Sequence, residues 1–110
     1  MSVASILLSA MLVGHAPVAP CAPILTPAAI ICRDAGLRRL DGELAGLIAQ
    51  ARAETAGVDG ETGRTIDPVA VEQRRWRQET IARCHDVACL KAAYRSRIHA
   101  LRARWAAALH

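Results

Sequence analysis

Four cysteines are the side chains of this sequence best suited to chemistry: Cys21, Cys32, Cys84 and Cys89. Thiols in a short chain ligate a metal, act as a redox pair or form structural disulfides. His85 lies beside the second pair in the stretch CHDVAC, so a zinc site is one alternative. The C-x4-C spacing is weak evidence for zinc, however, and the chain has no C-x-x-C redox motif. We therefore favour disulfides and expect no metal.

The sequence alone leaves the pairing of these cysteines open, because four cysteines allow three connectivities. We expect the two local pairs, Cys21 with Cys32 and Cys84 with Cys89, since each brackets a segment short enough to fold back at a helix end. Loops of this size contribute about 2–3 kcal/mol each in the chain-entropy model. That contribution matters for a domain with a small core.

Two other pairs of side chains have types used in catalysis, but neither is well placed for it. Ser96 and His99 lie on one predicted helix without a third group to complete a hydrolase triad. Asp41 and Glu43 point in different directions on a helix, unlike the paired carboxylates of a glycosidase. No phosphate loop, nucleotide fingerprint or His-rich motif occurs. We expect a protein that is not an enzyme and needs no cofactor.

The N-terminal stretch predicts export. The chain of 110 residues has room for one domain, and its first twenty residues carry no charged side chain. The apolar run from Val3 to Val13 has the length of a secretory signal core and is too short to span a bilayer. We predict a signal peptide over 1–20 and a mature domain over 21–110. An uncleaved N-terminal anchor is the alternative.

Helical periodicity dominates the mature part. Thr26 is a predicted N-cap, followed by Pro27 at the first position of a helical piece of one or two turns. A longer helix follows, with Asp41, Glu43 and Arg52 expected to face outward. The apolar residues on one face of this helix are Leu37, Leu40, Leu44, Leu47, Ile48 and Ala51.

Glycines interrupt this first long helix and then close it. Gly42 and Gly46 each cost about 1 kcal/mol relative to Ala, so the helix is marginal or another segment packs closely against it. The Gly-rich stretch 57–67 is predicted to be a loop, and the most flexible element of the chain. Asp67 and Pro68 are the expected N-cap and first residue of the second helix, which extends to about residue 84.

The second and third helices carry most of the arginines. The second is expected to bury Val69, Trp76 and Thr80 or Ile81. The third, over about 87–108, has an apolar stripe of Leu90, Tyr94, Ile98, Leu101, Trp105 and Leu109. Basic side chains border the stripe on both sides: Lys91, Arg95 and Arg102 on one, Arg97 and Arg104 on the other. We predict an all-α fold, a small disulfide-stapled bundle of about three helices.

The order and spacing of these features resemble a known family. The chain is similar to the lysozyme inhibitor LprI-like N-terminal domain family, small helical domains of the bacterial envelope that contain disulfides. The resemblance rests on Cys21, on Gln73 with Trp76, and on two longer stretches. These are ICRDAGLRRLDGEL at 31–44 and CHDVACLKAAYRSRIHAL at 84–101. It covers essentially the whole mature chain and implies a periplasmic or secreted protein.

The resemblance implies a protein that binds and inhibits a lysozyme. Lysozymes use a pair of acidic residues in a cleft, and a cation on a mobile loop could block such a cleft. Arg64, in the stretch 57–67, is the residue that we expect to do this. Another envelope protein is the alternative protein partner.

The basic borders of the third-helix stripe, together with RRWR at 74–77, raise a second hypothesis, binding of anionic envelope material such as lipid head groups or acidic glycans. Nucleic acid is not an expected partner, because a net charge of +4 is modest and export would keep the protein away from nucleic acid. The simpler explanation of the arginines is that their stems cover the edges of a small core. Across both hypotheses the candidate partner-binding residues are Arg64, Arg74, Arg75, Arg77, Arg95, Arg97 and Arg102.

Overall fold

The computed structural model describes residues 20–106. The predicted signal peptide, apart from Pro20, lies outside the described residues, and so does Leu109 of the predicted apolar stripe. The elements are α1 (Pro27–Arg33), α2 (Ala35–Thr55), β1 (Gly57–Val58), β2 (Thr65–Ile66), α3 (Pro68–Glu79), a 3-10 helix (Ile81–Arg83) and α4 (Val87–Arg104). The predicted helical, disulfide-stapled fold is confirmed.

Side-chain caps fix where the helices begin. Thr26 accepts a hydrogen bond from the amide of Ala29, and Asp34 accepts one from Leu37 at the start of α2. Asp67 caps α3 through the amide of Ala70, with Pro68 as the first helical residue. Asp86 caps α4 through the amide of Cys89. Each cap satisfies an amide that the first turn leaves unpaired, which stabilises the helix by about 1 kcal/mol. The predicted starts at Thr26 and Asp67 are confirmed.

The three long helices form one bundle in which α3 runs against the other two. Ion pairs and hydrogen bonds join Asp34 to Lys91 and Asp41 to Tyr94, so α2 and α4 run in the same direction. Asp67 at the start of α3 pairs with Arg52 near the end of α2, so α3 is antiparallel to α2. The bundle therefore has two ends, one with the starts of α2 and α4 and one with the start of α3.

The core lies along the predicted apolar faces. Leu37, Leu44 and Ala51 of α2 are fully buried, while Leu40, Leu47 and Ile48 pack partly buried beside them. The buried residues of α4 are Leu90, Ala93, Tyr94, Ile98 and Leu101, and those contributed by α3 and the 3-10 helix are Val69 and Ile81. Burial of a Leu-sized side chain stabilises the fold by about 1.5–3 kcal/mol. The predicted faces of α2 and α4 are confirmed over the described residues. In the second helix Trp76 is only partly buried, and of the two alternatives Thr80 and Ile81 the buried residue is Ile81.

Both expected disulfides are present. Cys21 and Cys32 are joined with their Cα atoms 5.7 Å apart, and Cys84 and Cys89 with theirs 5.5 Å apart. The first ties the lead-in segment to the end of α1. The second closes the connection into α4, and Cys84 itself is buried in the core. We call the part of the bundle that holds both bridges, residues 20–39 and 80–91, the stapled end.

Two predictions of local structure were wrong, and the third predicted helix, expected to reach about residue 108, ends at Arg104. The second helix ends at Glu79 rather than near residue 84, because the chain tightens into a 3-10 turn before it reaches the disulfide at Cys84. The stretch 57–67 is not an irregular loop. It is a short antiparallel hairpin in which Gly57 pairs with Ile66 and Val58 with Thr65.

Gly42 and Gly46 show which of the two expected explanations applies. A Cβ atom placed on either glycine would meet nothing within 4 Å. No neighbouring segment therefore requires glycine there, and both residues simply weaken α2.

No helix in the stretch 20–106 has both the length and the hydropathy needed to cross a membrane.

Candidate partner-binding site

The hairpin and the start of α3 together line a shallow concave surface at the end of the bundle opposite the stapled end. We call it the hairpin groove. Its residues come from the hairpin turn, the second strand and the first two turns of α3: Asp59, Arg64, Thr65, Ile66, Asp67, Pro68, Val71, Glu72 and Arg75. It therefore combines apolar side chains with two arginines and three carboxylates.

The hairpin turn holds the backbone of Arg64 on both sides. The Arg64 amide donates to Thr62 Oγ1 at 3.2 Å, and the Arg64 carbonyl accepts from the amide of Asp59 at 2.8 Å. Among the described residues no carboxylate pairs with its guanidinium, which is exposed. The backbone of Arg64 is thus anchored in the turn, while its exposed guanidinium pairs with no carboxylate of the described residues.

Asp59 organises the turn from its centre. Its carboxylate accepts from the amide of Glu61 at 3.0 Å and from the hydroxyl of Thr62 at 2.9 Å. These two hydrogen bonds hold the pKa of Asp59 below its ordinary value. Gly63 takes a positive φ of 69°, a conformation that favours glycine, and its amide donates to the Asp59 carbonyl. The sequence DGETGR therefore specifies a defined turn rather than a loop of arbitrary shape.

Exposed apolar side chains lie on the hairpin and the start of α3, and two of them, Ile66 and Val71, line the groove with Arg64. Val58 is 69% exposed, Ile66 50% and Val71 46%, and they account for three of the five large apolar side chains exposed in the described part of the chain. Such a cluster rimmed by polar groups is typical of protein-binding surfaces.

The seven candidate arginines do not form one surface. Only Arg64 and Arg75 line the hairpin groove. Arg74 is exposed on α3 outside it, and Arg95 is exposed on α4. The groove therefore selects two of the seven on the basis of position.

The remaining three candidates take part in contacts between helices. Arg77 lies 3.6 Å from Asp41, Arg102 pairs with Glu43 at 2.9 Å, and Arg97 Nε donates to Gln73 at 3.0 Å. The other basic residues along the stripe are also paired, Lys91 with Asp34 and Arg104 with Glu72. The borders of the α4 stripe are thus largely neutralised by carboxylates of α2 and α3.

Burial changes the chemistry of Arg97. Desolvation lowers the pKa of its guanidinium, and the negative charge of Glu72 partly offsets that effect. Arg97 is half-buried between α3 and α4. It contributes to packing more than to an accessible surface.

No family model, curated protein or solved structure matches this chain.

A polar cluster between the three long helices is the feature that sequence reasoning missed. The hydroxyl of the fully buried Tyr94 donates to Asp41 Oδ1 at 2.7 Å, and Arg77 approaches the same oxygen. The Tyr94 and Trp76 rings meet edge to face with centroids 5.3 Å apart, and Arg77 lies 5.9 Å from the Trp76 centroid. Asp41 was predicted to face outward, but it lies at the border of the apolar face, where a tyrosine hydroxyl reaches it.

The environment of Tyr94 shifts its ionisation. Burial raises the pKa of its hydroxyl, and the hydrogen bond to the Asp41 carboxylate raises it further. Tyr94 therefore stays neutral in the folded protein and acts as a hydrogen-bond donor.

The cysteines and His85 do not assemble a metal centre in the stretch 20–106. All four sulfurs are in disulfides, so none is a free thiolate ligand. No group of three or more His, Cys, Asp or Glu side chains within that stretch is arranged to hold a metal. Ser96 and His99 are both exposed on α4.

Proposed function

We propose that this protein is an exported bacterial envelope protein that binds and inhibits a lysozyme through the hairpin groove. The proposal joins the resemblance to LprI-like domains with one observation, the exposed Arg64 on an anchored turn, unpaired among the described residues, in a groove that Ile66 and Val71 also line. A catalytic cleft with paired carboxylates is the complementary surface.

The contacts among the residues of the resemblance support a shared fold. Asp41 and Tyr94 belong to the two long matching stretches, and they are hydrogen-bonded to each other. Gln73 bonds Arg97, and Trp76 packs against Tyr94. Residues far apart in the sequence thus meet in one cluster, as expected for a pattern that specifies a helical bundle. The hairpin groove lies outside these stretches, so its partner can differ between relatives.

Two disulfides support the location. Structural disulfides persist in oxidising compartments such as the periplasm and are rare in the cytosol. Both bridges close short loops at the stapled end, and no cysteine in the described residues is left free.

The distribution of charge supports a protein partner at the groove. The stapled end has five basic and two acidic residues, whereas the rest of the chain has nine basic and eight acidic ones. The groove therefore lies in the nearly neutral part of the molecule. A basic lysozyme would meet little long-range repulsion there.

The alternative, anionic envelope material bound along the borders of the α4 stripe, has less support. Most of those basic groups are already paired with carboxylates on neighbouring helices. Head groups or glycans would have to displace these pairs before binding.

The test is an inhibition assay of the purified protein against a panel of lysozymes, followed as clearing of a peptidoglycan suspension. We expect Arg64→Ala to weaken inhibition at least tenfold, about 1.4 kcal/mol. Arg74→Ala is the matched control, because it removes an equal charge from an exposed site outside the groove. Equal inhibition by the two variants, or no inhibition by the wild type, would contradict the proposal.

A further inference from the structure

The stapled end carries an exposed apolar patch of its own. Ile24 is 51% exposed and Leu25 70%, and these two are the large exposed apolar side chains outside the hairpin end in the described part of the chain. The segment that carries them is held in place. Cys21 is bridged to Cys32, and the Arg33 guanidinium donates to the carbonyls of Ala22 and Ile24. The patch is therefore a fixed surface feature.

The stapled end as a whole is basic, and the hollow lined by Leu25 holds Arg33 together with the carboxylates of Asp34 and Asp86. The stapled end contributes three of the four net positive charges of the protein. Its two carboxylates already serve as helix caps: Asp34 accepts from the amide of Leu37 and Asp86 from that of Cys89. Arg83 is exposed, and no described carboxylate pairs with it. An apolar patch in such surroundings complements a negatively charged surface with an apolar interior.

The course of the chain indicates the same occupant. The chain enters the described region at Pro20, directly before the patch, and the nineteen residues that precede it carry no charge and include the apolar run from Val3 to Val13. A lipid surface is the occupant that takes up an apolar patch and an uncharged apolar segment alike.

We propose that the stapled end docks on an anionic lipid surface, with Ile24 and Leu25 inserted at the interface and Arg83 near the phosphates. Peripheral binding of this kind combines apolar burial with electrostatic attraction to acidic lipids. The proposal does not depend on the lysozyme hypothesis. It also orients the molecule: α2 has 21 residues and runs from the stapled end to the hairpin, so the groove faces outward about 30 Å from the lipid.

The test places a fluorescent probe at each end of the full chain. Leu25→Trp reports on the stapled end, and Val58→Trp, at a similarly exposed apolar site of the hairpin, is the matched control. Both variants retain Trp76 and Trp105, whose fluorescence gives the same background in each. Vesicles of brominated phosphatidylcholine, with or without phosphatidylglycerol, quench tryptophan that enters the bilayer. We expect at least twofold stronger quenching for Leu25→Trp, and only when phosphatidylglycerol is present at low salt.

Charge reversal separates docking from tethering by the N-terminal segment. In the Leu25→Trp background, Arg83→Glu is expected to weaken vesicle affinity at least fivefold. Arg95→Glu, an equal change on exposed α4, is expected to have less than half that effect. Equal quenching at the two ends, or equal effects of the two reversals, would overturn the proposal. It would also be overturned if Leu25→Ser converted a dimer to a monomer in light scattering, because a second copy would then cover the patch.

Discussion

Removal of the Tyr94 hydroxyl tests the polar cluster that joins the three long helices. Tyr94→Phe keeps the ring, which is fully buried against Trp76, and deletes only the 2.7 Å hydrogen bond to Asp41. Hydrogen bonds to charged groups contribute about 1.5–3 kcal/mol. The Asp41 side chain is 41% exposed and retains Arg77 and solvent as partners, so the lower part of that range applies. We expect a loss of about 1–2 kcal/mol in the free energy of unfolding.

Urea unfolding of the oxidised protein, followed by far-UV circular dichroism, measures this loss. Tyr94→Phe should lower the midpoint without changing the slope, because the surface exposed on unfolding is the same. Asp41→Asn is the control, since an amide oxygen still accepts from Tyr94 while the charge is removed. An unchanged midpoint for Tyr94→Phe would refute the assignment of this hydrogen bond as a stabilising contact.

The stability of the protein at alkaline pH tests the same hydrogen bond in a second way. The pKa of Tyr94 is raised in the folded state. The Tyr94 hydroxyl therefore contributes its full stabilisation below the unfolded-state pKa of about 10. Above that pH the unfolded chain loses the phenolic proton while the folded protein keeps it, and the stability must fall. The wild type should therefore lose stability between about pH 9.5 and 11 more steeply than Tyr94→Phe. Parallel pH profiles would contradict the buried, hydrogen-bonded hydroxyl.

The remaining predictions concern backbone and covalent constraints. Gly42→Ala and Gly46→Ala should each raise the free energy of unfolding by about 0.5–1 kcal/mol, because the added methyl groups meet nothing. Gly63→Ala should lower the free energy of unfolding by about 1 kcal/mol, since φ is positive there. The midpoints of urea unfolding show whether each of these three variants is more or less stable than the wild type. Replacing Cys84 and Cys89 together by Ala should cost about 2–3 kcal/mol of stability. Calorimetry measures that loss, and an unchanged melting temperature would contradict the stapling role.

Much of the bundle could be predicted from the sequence because its signals are local. The caps at Thr26 and Asp67 need only a side-chain oxygen and a nearby amide, and both were identified from residue type and position. The apolar faces of α2 and α4 follow from helical spacing. The two disulfides follow from short separations at helix ends. None of these features depends on which helix packs against which.

The hairpin could not be predicted by the same means. Each strand has only two residues, which is too few for an alternating pattern of apolar and polar side chains. All four strand residues are exposed. The hairpin turn is shaped by hydrogen bonds that the Asp59 carboxylate accepts from the Glu61 amide and the Thr62 hydroxyl. The sequence places a turn there, but the choice between loop and hairpin depends on these side-chain contacts.

The roles of the arginines also depended on tertiary structure. Helical geometry places Arg97 and Arg102 beside the apolar stripe, but their partners, Gln73 and Glu43, lie on other helices. Only the packed bundle shows that these two side chains bind partners on other helices, whereas Arg64 and Arg75 line the hairpin groove. The candidate site was therefore predicted as a set of residues, and the structure separated it into packing contacts and one groove.

Hydrogen exchange in the presence of a lysozyme tests the central claim most directly, because it locates the partner without any substitution. With a lysozyme that the protein inhibits, we predict slower deuterium uptake across residues 57–71, which span the hairpin and the first turns of α3. Uptake at the stapled end, residues 20–39 and 80–91, should stay unchanged. Protection confined to α4, or absent from the hairpin while inhibition is observed, would contradict the account.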